Sequence, residues 1–186
     1  MRVLKNILSQ FHIYLLWLLL AALLWGWIFT FVTDTAPAKK VVVFIETDVC
    51  QDMALRLALE EDMPEGLRMI QVHPFSYAMF DESTLLNADI FIVSASKAAE
   101  YRDSFLSAAS LPAAESVSPD LPAGFRIYDA STGEGGARQY IGYVSPDAPA
   151  EDYYLFFGVK SLHAASLTGK GDDAALAVAE QLLQRN

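Results

Sequence analysis

"VVVFIETDVCQDMALRLALEED", residues 41–62, is the stretch on which the reading of the fold turns. Residues 41–47 form a continuous β-branched and aromatic run, the pattern of a strand buried on both faces. From Asp48 the spacing becomes helical, with Met53, Leu55, Leu57, Ala58 and Leu59 crowding one broad face. Asp48 can cap this helix, with Gln51 three residues on completing a capping box, and Pro64 and Gly66 end it. A buried strand that runs straight into a helix is the first half of a βα unit, and such units build parallel sheets.

Toward the C-terminus the pattern repeats. "LRMIQVH" (67–73) reads as a second strand, "STLLN" (83–87) as a short helical turn, "ADIFIVSAS" (88–96) as a third strand and "KAAEYRDSFLSAA" (97–109) as an amphipathic helix. Residues 111–124, rich in Pro, Ala and Ser, read as an irregular crossing. "GFRIYDA" (124–130) and "ARQYIGYVS" (137–145) flank "STGEGG", a hairpin signal. "DYYLFFGVKS" (152–161) is a further buried strand, and "GDDAALAVAEQLLQ" (171–184) a closing helix with Asp172 or Asp173 at its start. The expected class is α/β: a single three-layer α/β/α domain with a mostly parallel sheet and a late β-hairpin, preceded by a transmembrane helix.

That helix is "FHIYLLWLLLAALLWGWIFTFV" (11–32), which carries no formally charged residue. About 20 apolar residues suffice to cross a bilayer core. Tyr14, Trp17, Trp25 and Trp27 lie toward its two ends, as interfacial aromatics do. The competing reading is a cleaved signal ending at Ala36-Pro37-Ala38, but the apolar run exceeds the ~7 to 15 residues of a signal core and Pro37 falls in the site itself. The organisation read here is a short cytoplasmic tail and transmembrane signal anchor (1–33), a tether (34–40) and an extracytoplasmic domain (41–186). Arg2 and Lys5 before the helix are matched by Lys39 and Lys40 after it, and the shortness of the basic tail places the domain outside the cytoplasm. The protein is then integral to the cell membrane, with one span.

Hydrophobic residues make up 53% of the 186, and both acidic and basic charge sit almost wholly past the helix. From residue 34 onward there are 11 basic side chains against 23 acidic ones. Such a surface repels nucleic acid and anionic headgroups, so neither is expected as a partner. One cysteine, Cys50, excludes an internal disulfide framework and a multi-cysteine metal site. The glycines of "STGEGGAR" (131–138) lack the strand before, the helix after and the Lys-Ser/Thr pair of a phosphate loop, and read as a hairpin tip. No cofactor is implied.

The order strand, helix, strand, "LLNADIFIV", late strand and "DDAALAVAEQLL" resembles one lobe of a type II extracytoplasmic solute-binding protein. The resemblance rests on Ala88-Asp89 before the third strand, Ser161 in the loop after the last strand, and Asp172 to Ala175 opening the final helix. It implies a binding or accessory role beside a transporter or envelope complex, with a protein partner and, as a further option, a small-molecule ligand. A full member of that family carries a second lobe that closes on the ligand. Only ~40 residues of crossing and hairpin stand in its place, so an oligomer would have to complete the cleft.

In open parallel α/β sheets, functional residues collect beyond the carboxyl ends of strands. On that rule the candidate ligand- or partner-binding residues are Asp48 after the first strand, His73, Phe75, Tyr77 and Phe80 after the second, Ser94 and Ser96 after the third, and Ser161 and His163 after the late strand. Whether His163 joins His73 and Cys50 depends on the direction of that late strand. "HPFSYAMF" (73–80) is either core folded over the sheet edge or an exposed recognition patch. The alternative function is a small envelope enzyme. Cys50, at the second position of a helix, would be a thiol activated by the helix dipole, with a buried inert thiol as the plainer reading. His73 and His163, with Asp48 or Asp81, would otherwise hold a metal, though two isolated histidines more simply cap strand ends.

Overall fold

The computed structural model describes residues 11–33, 35–47, 49–78, 87–144 and 149–185, in two units, Met1–Ala36 and Pro37–Asn186. In the first unit, α1 (Phe11–Thr33) runs for 23 residues, and its stretch Phe11–Phe29 is long and apolar enough to cross a membrane. Every side chain of that stretch is exposed, and the apolar surface goes all the way round.

The second unit opens with a 3-10 turn (Pro37–Lys39) and enters strand β1 (Lys40–Ile45) at once. There follow helix α2 (Asp52–Glu60), β2 (Met69–Pro74), the short helix α3 (Phe75–Ala78), β3 (Ile90–Ser94), a 3-10 helix (Ala98–Ser104), β4 (Phe105–Leu106), β5 (Phe125–Asp129), β6 (Glu134–Gly135), β7 (Tyr153–Gly158), the short helix α4 (Ala165–Thr168) and α5 (Ala174–Gln184). The "STLLN" turn falls largely outside the described residues. Strand order is β2-β1-β3-β7-β5-β6, with β4 also paired to β7.

The sheet is mixed rather than mostly parallel. β1 pairs in parallel with β2 and β3, while β7 runs antiparallel to β3, β4 and β5. The reason lies in where the chain stands before β7 begins. Ala130 N–H donates to the Asp152 carboxylate and Ala95 N–H to the Asp152 carbonyl, so residue 152 is held at the carboxyl ends of β3 and β5. From there a strand can only run back.

Residues of alternate parity serve the two faces of the sheet. Val41, Val43 and Ile45 of β1, with Leu155 and Phe157 of β7, pack against Leu55 and Leu59 of α2 and Val178 and Leu182 of α5. Val42 and Phe44 turn the other way, to Phe91, Val93, Ala98, Phe105 and Phe156. Phe105 stacks on Phe156 with ring centroids 4.2 Å apart. Among the described residues this second face is covered by the 3-10 helix and irregular chain, including Val117 and Leu121, where the sequence suggests a full helix over 97–109. Pairing of Phe105 with Gly158 draws the chain out of its helical path and into β4.

Two other expectations change. α2 begins at Asp52 rather than near Asp48, with Gln51 at the N-cap making no side-chain capping bond. The backbone before it is tied across to another loop instead: Gln51 N–H donates to the Tyr140 carbonyl and Gly142 N–H to the Val49 carbonyl. The late hairpin exists, but its return strand is only Glu134–Gly135, paired with Asp129 and Tyr128. Ala137 takes φ 52° and ends the ladder, after which Tyr143 stacks on Tyr128 at 4.6 Å and donates from its hydroxyl to the Gly136 carbonyl.

Gly158, where β7 leaves the sheet, sits directly against the Ala88 carbonyl, and a Cβ there would collide with that backbone. Gly158→Ala is therefore expected to destabilise residues 37–186 by roughly 1–3 kcal/mol in urea unfolding, the usual penalty for overfilling a packed site.

Candidate functional site

Two groups of polar side chains sit at opposite edges of the sheet. The first is at the carboxyl ends of β1 and β3. Ser94, buried at the end of β3, donates from Oγ to Glu46 Oε2 at 3.0 Å, and Glu46 follows directly after β1. Ser96 donates to Glu151 from both its backbone N–H and its hydroxyl, each at 3.0 Å. The two serine oxygens are 3.4 Å apart, so the two pairs form one cluster. Burial raises the Glu46 carboxyl above its ordinary range against the lowering effect of Ser94 and Lys97, and the charge of Glu151 adds to the rise. Burial also pushes the neighbouring Tyr153 hydroxyl up to about 12.

The second group lies at the other edge, where β1 and β3 begin and β7 ends. Asp89, immediately before β3, is 5% exposed; its Oδ2 accepts from Val42 N–H at 2.9 Å and its Oδ1 from Ser161 Oγ at 2.7 Å. His163 N–H donates to Ser161 Oγ at 3.1 Å. The His163 ring is 1% exposed, with Nδ1 2.7 Å from Asp172 Oδ1 and Nε2 3.1 Å from the Pro37 carbonyl. Both ring partners are acceptors only. Both nitrogens must therefore donate, which favours the imidazolium. Burial opposes that charge but is outweighed by the bonds to Asp172 and Pro37 and the nearby charge of Asp89, so the pKa of His163 is raised. Asp89 is raised as well, burial exceeding the effect of its donors. Beside this network is a cavity of about 400 Å³ lined by Pro37, Lys40, Val42, Gln71, Asn87, Asp89, Lys160 and Leu162.

Ser94 and Ser96 thus meet at the carboxyl edge, as the strand-end rule suggests, while Ser161 and His163 do not join them because β7 runs antiparallel. Their edges are separated by the height of the strands, about 15 Å for five residues. His73, next to Phe44 in register near the end of β2, lines a smaller cavity of about 260 Å³ with Asp52, Met53 and Arg56. His73 and His163 cannot share a metal at that separation. Among the described residues no group of three or more His, Cys, Asp or Glu side chains is placed to hold one. Phe75, half-buried, packs against the Phe44–Phe91 face. Tyr77 lies on α3 in the same turn. Asp48, Phe80 and Asp81 lie outside the described residues.

Among the described residues neither the Cys50 thiol nor the Ser161 hydroxyl is bonded to an imidazole nitrogen. Cys50 precedes α2 and forms an isolated bridge with Ile141, so it does not occupy the helix position that would activate it. Burial, with the charge of Asp52, pushes its thiol up to about 12. Ser161 meets the main chain of His163, and the imidazole faces Asp172 and Pro37.

Glu46, Glu151, Asp172, Lys40 and Lys160 went unselected by the strand-end rule. Glu46 stands at a strand end and was legible in principle; Glu151 and Lys160 come together with their sites only through the direction of β7. Comparison with known protein families, with characterised proteins and with solved structures finds no match to this chain.

The raised pKa of His163 fixes the sign of a pH effect. Its stabilisation is complete below the ordinary value of 6.5 and is lost as the pH rises through the higher folded value. Asp89, raised by burial, acts in the same direction at lower pH, since the fold prefers its neutral form. Unfolding free energy is expected to fall by on the order of 1 kcal/mol from about pH 6 to about pH 9. His163→Gln should flatten that slope; an unchanged slope would place the titration elsewhere.

Proposed function

We propose that the chain is a membrane-anchored binding or accessory protein, similar to one lobe of a type II extracytoplasmic solute-binding protein, that acts with a transporter or envelope complex. α1 is its anchor, and the domain from Pro37 onward faces outward. The observation that carries the reading is the cluster Glu46, Ser94, Ser96 and Glu151, which gathers hydroxyls and carboxylates at the carboxyl edge of the parallel strands, where binding groups of such sheets collect. Its acceptors suit a donor-rich group on the ligand or partner, such as an ammonium or guanidinium. The raised Cys50 thiol and the separation of His73 from His163 weigh against the enzyme reading.

The test is a thermal-shift series on residues 37–186 with amino acids, sugars and short basic peptides, joined to photo-crosslinking in the membrane from position 96. A ligand present at a hundredfold excess over its Kd stabilises by about 2.7 kcal/mol, which a melting curve resolves. The reading predicts either a saturable shift that Glu151→Gln removes, or a crosslink from position 96 that exposed position 180 on α5 does not give. No shift together with equal labelling from both positions would sink it.

A further inference from the structure

His163 lies at the edge that the proposed role leaves unused, and it reaches across 126 residues of sequence to the turn through which the chain enters the sheet. We propose that its ring is a proton-operated clasp on the Pro37–Lys39 turn, closed while both ring nitrogens carry hydrogen and open once one of them is bare.

The turn has little else to hold it. Ala36, Pro37, Ala38 and Lys39 are all exposed, so side-chain burial contributes little there. Among the described residues, the bonds that reach the turn from elsewhere in the domain are His163 Nε2 to the Pro37 carbonyl at 3.1 Å and Arg68 N–H to the Lys39 carbonyl at 2.8 Å. Arg68 pins the end next to β1, and His163 pins the far end. The ring itself is fixed. It is 1% exposed, its main-chain N–H donates to Ser161 Oγ, and its carbonyl accepts from Ala175 N–H in α5. Its other partner is fixed as well, since Asp172 N–H donates to the Leu162 carbonyl and Ala165 N–H to the Asp172 carbonyl. One jaw of the clasp is therefore rigid, and the other is a short exposed turn.

The two acceptors of the ring are unequal. A neutral imidazole has a single N–H to divide between them. Asp172 offers a carboxylate oxygen at 2.7 Å and Pro37 a carbonyl oxygen at 3.1 Å, and charge-assisted bonds are the stronger. On loss of a proton the remaining hydrogen stays on Nδ1, and Nε2 turns a lone pair toward the Pro37 oxygen. Two acceptors then face each other and the turn is released. Its residues pass from a rise of ~2 Å each toward the ~3.5 Å of extended chain, which lengthens the entry into β1.

The charges around the ring set the pH at which this happens. Burial opposes the imidazolium, but the bonds to Asp172 and Pro37 and the charges of Asp89 before β3 and Asp172 before α5 outweigh it. Lys40 of β1 and Lys160 after β7, which line the neighbouring cavity with Pro37 and Asp89, carry the opposing sign. The clasp is thus closed below the ordinary histidine value of 6.5 and opens as the pH rises through the higher folded value.

The experiment places a nitroxide on Ala38→Cys in a Cys50→Ser background, with the full chain in phosphatidylcholine nanodiscs, and follows the spin-label line shape from about pH 6 to about pH 9. The ratio of mobile to immobile label is expected to rise reversibly by at least about tenfold, as the loss of one buried bond allows. A label on Leu57→Cys, exposed on α2, should not change over the same range. His163→Gln should remove the transition. Asp172→Asn, at a side chain 58% exposed, keeps the shape of the site but takes away the charge that favours the second proton, and should lower the midpoint by about one pH unit. An unchanged line shape at position 38, a transition that survives His163→Gln or keeps its midpoint in Asp172→Asn, or a parallel change at position 57, the sign of whole-domain unfolding, overturns the proposal.

Discussion

Asp89 holds the two halves of the sheet to one another. Its carboxylate takes the Val42 N–H of β1 on one oxygen and the Ser161 hydroxyl beyond β7 on the other, while its own N–H donates to the Val42 carbonyl and its carbonyl accepts from Gly158 N–H. A buried carboxylate is costly unless its oxygens have donors, and here each has one. Because the donors come from β1 and from the chain leaving β7, removal of this one side chain orphans groups on both. The junction of parallel and antiparallel strands depends on it.

From that junction the distribution of chemistry follows. The antiparallel course of β7 sends Ser161 and His163 to the starting edge of β1 and β3 and leaves Ser94, Ser96, Glu46 and Glu151 at the other. One edge is rich in acceptors and suits a cationic group. The other couples a satisfied buried network to a cavity with two lysines. A domain that looks uniformly acidic by composition therefore presents two ends of different character, and the second begins at Pro37, the residue whose carbonyl His163 grips.

The sequence made the apolar span, the first buried strand, its two parallel neighbours and the closing helix legible, because each is written in local periodicity. Residues 41–45 alternate between two buried faces, and 174–184 keep helical spacing throughout. What it could not show are features set by contacts distant in the chain. The late start of α2 follows from bonds between residues 49–51 and 140–142, and the loss of the helix over 97–109 from the pairing of Phe105 with Gly158. Strand direction is such a feature too, since periodicity is the same read either way. For that reason Ser94 and Ser96 could be placed at a candidate site from sequence, while Ser161 and His163 went to the opposite edge and Asp89, noted only as half of a small-residue-Asp pair, emerged as the node of the fold.

The most direct measurement is native-state hydrogen exchange on Asp89→Asn, an isosteric change that turns one acceptor oxygen into a donor. The account predicts that the Val42 amide loses protection by at least about tenfold and that stability falls by about 1–3 kcal/mol, the cost of a buried group left without its partner. Unchanged protection at Val42 with unchanged stability would contradict it, and would mean that the β3–β7 ladder and the packing of Phe91, Phe105 and Phe156 join the two halves of the sheet without the Asp89 carboxylate.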